Sequence, residues 1–140
     1  MNRQTVLSRS FGRSVREVIA AERWLDAVAM EAGLPERIQF AMQVCLEELF
    51  SNIVRHSDSH GLGGREVDIA IDVGEDRIRM TVEDEGPAFD ISRAKAHPLR
   101  QSLEQIEPGG LGILLVRAFS NDLTYNRIEG RNRVTLSFVR

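Results

Sequence analysis

The feature that most constrains this chain is a change of hydrophobic period near its middle. Up to about residue 56 the apolar residues recur three and four apart, and from residue 67 they recur at every second position. Val15, Val18, Ile19, Leu25 and Val28 predict a helix over 14–32. Gly33 suits its end, and Pro35 suits the first turn of a second helix reaching about residue 56. Ile38, Met42, Leu46, Leu49 and Ile53 form that helix's apolar stripe. Val67, Ile69, Ile71 and Val73 then alternate with polar residues, Gly74-Glu75-Asp76 makes a turn, and Ile78, Met80 and Val82 alternate again. That is the pattern of an antiparallel hairpin. A short strand over 4–8, a third helix over 113–119 and two closing strands over 123–127 and 134–138 complete the reading, with Glu129-Gly130 in the last turn. Long helices combined with antiparallel strands predict an α/β chain of the α+β two-layer kind. Its sheet is mixed and mostly antiparallel, with helices packed on one face.

The 140 residues leave room for one domain, 1–140, at about 100–200 residues per domain. An apolar fraction of 42% supports a core and excludes a disordered tail. Eighteen basic residues against twenty-one acidic ones give a net charge of −3 with no basic block, which disfavours direct binding to nucleic acid or an anionic membrane. The longest apolar run, around 111–116, is too short to span a bilayer. Cys45 is the only cysteine, so an intramolecular disulfide is impossible, and a reducing cytoplasm is the expected home. Lys95 is the only lysine, and Arg93-Ala94-Lys95-Ala96 is not a P-loop. His56 and His60 lack further clear ligands and read as loop residues rather than a zinc site.

Three places break the pattern. The second helix carries Glu47-Glu48-Leu49-Phe50-Ser51-Asn52, and Glu48 and Asn52, four apart, stack on one face. A carboxylate there can orient a nucleophile, and an amide oxygen is a hard ligand that suits Mg²⁺. Alone, the pair reads as a solvated helix edge. The second break is Asp84, which continues the core-facing row Ile78, Met80, Val82 and is followed by Gly86 and Pro87. A carboxylate in such a row needs a partner. It could receive the exocyclic amine of an adenine, or simply open a turn. The third break is Gly109-Gly110-Leu111-Gly112 at the start of a helix, where free backbone amides can meet an anion. Together the three are the parts an ATP–Mg²⁺ site requires. The segment 91–108 between the last two is long for a loop and could act as a lid.

These boxes, in this order, resemble the GHKL (Bergerat-fold) ATP-binding superfamily, and most of all the bacterial anti-sigma factor serine/threonine-protein kinases with a histidine kinase-like ATPase domain. Glu48-Leu49-Phe50-Ser51-Asn52 with Arg55-His56 looks like the N box, and Val82 through Asp90 like the first glycine box. Gly109-Gly110-Leu111-Gly112-Ile113 looks like the second. The closing stretches 122–125 and 130–136 also resemble this group. The resemblance implies a Bergerat-type fold with ATP and Mg²⁺ as cofactors. It implies Glu48 as the base that activates an incoming hydroxyl, Asn52 as the Mg²⁺ ligand, and Asp84 against the adenine amine with Gly86 close by. Gly110, Leu111 and Gly112 would lie along the phosphates. The family's last glycine motif often carries a threonine near the adenine, and Asn132 stands at that place.

By the same resemblance, the chain would be a protein kinase acting on a STAS-type anti-sigma factor antagonist. It would also sequester a sigma factor, as a homodimer. The competing reading is a partner-switching module that holds ATP without transferring phosphate. Only Glu48 separates the two, since a module that merely holds ATP needs no base there. A histidine kinase fragment is disfavoured, because the chain has no room for a two-helix dimerisation domain.

Overall fold

The computed structural model describes residues 5–58, 66–93 and 110–140. Strand β1 (Thr5–Gly12) leads into helix α1 (Val15–Glu31) and helix α2 (Glu36–Asp58). Strands β2 (Glu66–Val73) and β3 (Arg77–Asp84) follow, then helix α3 (Gly110–Phe119) and strands β4 (Asp122–Ile128) and β5 (Arg131–Val139). Ser14 caps α1, its side chain accepting from the Glu17 amide at 3.3 Å. Gly33 leaves that helix with φ 63°, a value glycine adopts without strain. Glu129 and Gly130 both hold positive φ, the geometry of a tight turn between twisted antiparallel strands.

The strands form one five-stranded sheet in the order β1-β2-β3-β5-β4. Every pairing among the described residues is antiparallel, so the expected parallel admixture is not found there. Several boundaries differ from the sequence expectation, and strand β5 begins at Arg131 rather than at 134. Strand β1 runs to Gly12, because its whole length pairs with β2, Phe11 opposite Val67 and Ser10 opposite Asp68. Ser8-Arg9-Ser10 carries no alternating pattern that could have revealed this. Helix α3 starts at Gly110, inside the glycine cluster rather than after it.

The alternation of each strand sends one row of side chains inward. Val67, Ile69, Ile71, Ile78, Met80, Val82, Val134, Leu136 and Phe138 are buried in one core with Leu25, Met42, Leu46 and Phe50 of the helices. The opposite face of the sheet is polar. Arg131 bridges Asp68, Glu83 and Glu85, and Arg133 pairs with Glu83. A helix layer on that side would bury these charges at a cost of several kcal/mol per ion, which accounts for a sheet covered on one face only.

Candidate active site

At one end of the sheet the apolar rows give way to a polar one. Val82, Val134 and Tyr125 stand side by side on β3, β5 and β4, and the next row is Asp84, Asn132 and Arg127. Asp84 and Asn132 are directly opposite one another and both are buried. The Asp84 carboxylate accepts from the Gly86 amide at 2.9 Å, so part of its buried polarity is satisfied by the turn that follows it.

Above this row lies an open cleft. Its walls are largely apolar, from Leu49 and Ile53 of α2, Val82 and Val134 of the sheet, and Pro87, Phe89 and Ile91 beyond β3. The polar groups on it are few: Arg13, Asn52, Asp84 and Asn132. A Cβ built at Gly86 would meet an Asp84 carboxylate oxygen at 2.6 Å, so glycine leaves the carboxylate room to stand in the cleft. Largely apolar walls and a buried carboxylate suit a planar base bearing an amine.

A second, smaller cleft is lined by Glu48, Asn52, Arg55, Ile91, Gly112, Ile113 and Val116. Asn52 and Ile91 line both clefts, so the two are neighbours, with Asp84 on one and Glu48 on the other. Glu48 is half-buried while Glu47 is exposed, as their separation around the helix requires. Burial pushes the Glu48 carboxyl above its ordinary pKa, Glu47 adds to the rise, and Arg55 opposes it. Helix α3 is held to α2 below this point, where the Cys45 thiol reaches the Val116 carbonyl at 3.8 Å. That thiol is buried and its pKa is pushed up to about 12, so it acts as packing and not as a nucleophile.

Glu48, Asn52, Asp84, Gly86, Gly112 and Asn132 are thus gathered along two neighbouring clefts. Gly110 forms the first residue of α3, with Leu111 next to it. Of the segment 91–108 expected to act as a lid, Ile91–Arg93 form a short 3-10 turn, and 94–108 lie outside the described residues. His60 also lies outside them. Sequence reasoning missed Arg13, Tyr125 and Arg127. Arg13 follows β1 and reaches the cleft only through the fold, and Tyr125 and Arg127 reach the end of the β3 row only because β5 brings β4 beside it. No local signal in the sequence marks them.

The histidine kinase-like ATPase domain profile matches residues 12–138, and the chain belongs to that family. Within it, the chain is similar to protein-serine/threonine kinases. It is 31% identical over 114 residues to the serine/threonine-protein kinase BtrW of Bordetella bronchiseptica, spanning 81% of this chain and 80% of BtrW. It is 26% identical over 118 residues to the serine-protein kinase RsbW of Bacillus cereus, spanning 77% and 72%. The fold matches the RsbU and RsbW domains of Rv1364c from Mycobacterium tuberculosis with a TM-score of 0.69 at 14% identity, over 97% of this chain and 33% of that one. It also matches a chain of the SiaB-SiaC complex from Pseudomonas aeruginosa with a TM-score of 0.63 at 16% identity, over 96% and 89%. The chain is therefore a histidine kinase-like ATPase domain similar to the kinases BtrW and RsbW. Among the described residues no helix is long and apolar enough to cross a membrane.

Proposed function

We propose that the chain transfers the γ-phosphoryl group of Mg²⁺–ATP to a serine or threonine hydroxyl of a STAS-type anti-sigma factor antagonist, and that as a cytoplasmic homodimer it also sequesters a sigma factor. The observation that carries the catalytic part is that the two clefts share Asn52 and Ile91, with the half-buried Glu48 lining one and the buried Asp84 lining the other. Asp84 receives the adenine amine, with Gly86 giving it room. Asn52, which lines both clefts, can offer its amide oxygen to Mg²⁺ beside the phosphates. When bound, the ion neutralises phosphate charge. Gly110, Leu111 and Gly112 open α3 and present backbone amides to the phosphates. Glu48 accepts the proton of the attacking hydroxyl, and its raised pKa brings it closer to the working range of a general base. The similarity to BtrW and RsbW, both named as protein kinases, supports the reaction class.

The test is a transfer assay with labelled ATP and a STAS-domain protein encoded nearby. Wild type should label one serine or threonine of the partner, and Glu48→Gln should bind ATP and label it slowly. A wild type that binds ATP and labels no cognate partner would establish the ATP-holding module instead.

A further inference from the structure

Asn132 lines the larger cleft, yet its amide is already spoken for by the protein. Its Oδ1 accepts from the Phe89 amide at 3.3 Å, from Arg127 Nη1 at 3.1 Å and from the Tyr125 hydroxyl. Its Nδ2 donates to the Pro87 carbonyl at 2.9 Å and faces the Gly86 carbonyl at 3.5 Å. The Gly86 carbonyl also receives Arg127 Nη1, at 2.8 Å. Donors surround one end of the amide and carbonyls the other, so the side chain has a single satisfactory orientation.

All of these partners except Tyr125 and Arg127 belong to the turn Gly86–Phe89, which begins two residues after Asp84. We propose that Asn132, braced by Tyr125 and Arg127, is a positioning residue for base selectivity. It holds the Gly86–Phe89 turn so that the Asp84 carboxylate meets the amine of an adenine, and it does so without bonding the nucleotide. This rests on the adenine role proposed for Asp84. The cross-strand pairing supplies the mechanism. Asp84 and Asn132 sit opposite one another, so the bonds of Asn132 with the Pro87 carbonyl and the Phe89 amide tie the turn to the point of the sheet where Asp84 stands. Misplacing an acceptor by about 1 Å can cost about 10²-fold where geometry carries recognition.

Tyr125→Phe is the decisive variant, because Tyr125 lines neither cleft and its hydroxyl touches only Asn132 among the described residues. ATP and GTP affinities are measured for wild type, Tyr125→Phe and Asn132→Ala, with hydrogen exchange of the Phe89 amide in the nucleotide-free protein. Asn132→Ala should lower the ATP-over-GTP preference about tenfold, and Tyr125→Phe should lower it severalfold in the same direction. Phe89 amide exchange should quicken in both. If Asn132→Ala weakens ATP while Tyr125→Phe changes neither preference nor exchange, Asn132 touches the nucleotide directly and the proposal falls. It also falls if both variants only lower the melting temperature and leave the preference intact. A wild type with equal affinity for ATP and GTP instead overturns the adenine role of Asp84, and the selectivity claim with it. Should Asn132→Ala not fold, Tyr125→Phe alone still decides between these outcomes.

Discussion

Gly112 of α3 stands against the carboxylate of Glu48 on α2: a Cβ built at Gly112 would lie 3.2 Å from the Glu48 carboxyl carbon and nearer still to one oxygen. The glycine of the second box and the carboxylate of the N box, far apart in the chain, are in contact. The side chain that would collide is the flexible end of a glutamate, which can swing aside. Alanine is also the better helix former, by about 0.8–1.0 kcal/mol. Gly112→Ala should therefore leave the melting temperature within a few degrees of wild type and lower the phosphoryl-transfer rate by about tenfold or more, because Glu48 is displaced. Thermal unfolding and transfer kinetics on the same sample check this. A variant as active as wild type would mean that the position of Glu48 is unimportant to the reaction.

Glu48→Gln should keep ATP affinity near wild type and lower the transfer rate by about 10²–10⁴-fold, the usual worth of a positioned acid–base group. Glu47→Gln should change the rate far less, since Glu47 is exposed. If the effects of the two are reversed, Glu47 and not Glu48 is the base.

The pH dependence follows from the same carboxylate. The base must be ionised, and its pKa lies above the ordinary 4.5 because of burial and then Glu47. The acid limb of the transfer rate should therefore sit at higher pH than an ordinary glutamate gives, with activity rising as pH rises through the raised pKa. Stability runs the other way. A folded carboxyl with a raised pKa contributes stability below its unfolded pKa, and that contribution is lost as pH rises through the folded value. Glu48→Gln should remove both the acid limb and this small decline, measured by rate profiles and by melting temperature against pH.

Asn52→Ala should weaken Mg²⁺–ATP binding and transfer together, because Asn52 lines both clefts. Binding of ATP in the presence of EDTA should differ much less between variant and wild type. Calorimetry with and without the metal separates the two contributions, and an equal loss in both conditions would exclude a metal role.

Gly86→Ala would press a methyl group against the Asp84 carboxylate, 2.6 Å away. That contact forces the turn or the carboxylate to shift, and ATP affinity should fall by about tenfold or more. Affinity for GTP, which offers a carbonyl in place of the amine, should fall much less. Titration of both nucleotides reads the difference.

Much of this protein was set by local sequence. The helical stripe Ile38, Met42, Leu46 and Leu49 and the alternating rows Val67–Val73 and Ile78–Val82 determined α2 and the β2–β3 hairpin, because burying an apolar face at period 3.6 or 2 is a local requirement. The same periodicity marked Asp84 as a carboxylate in a core-facing row, and it is buried. What sequence could not determine is which distant elements become neighbours. Strand β5 pairs with β3 across the sheet, and the register of that pairing places Asn132 opposite Asp84. The packing of α3 on α2 brings Gly112 to Glu48, and the full pairing of β1 with β2 carries Arg13 to the cleft. These contacts join residues tens of positions apart. Their partners are chosen by which faces can be buried together, a choice made by the whole core and written in no single segment of the chain.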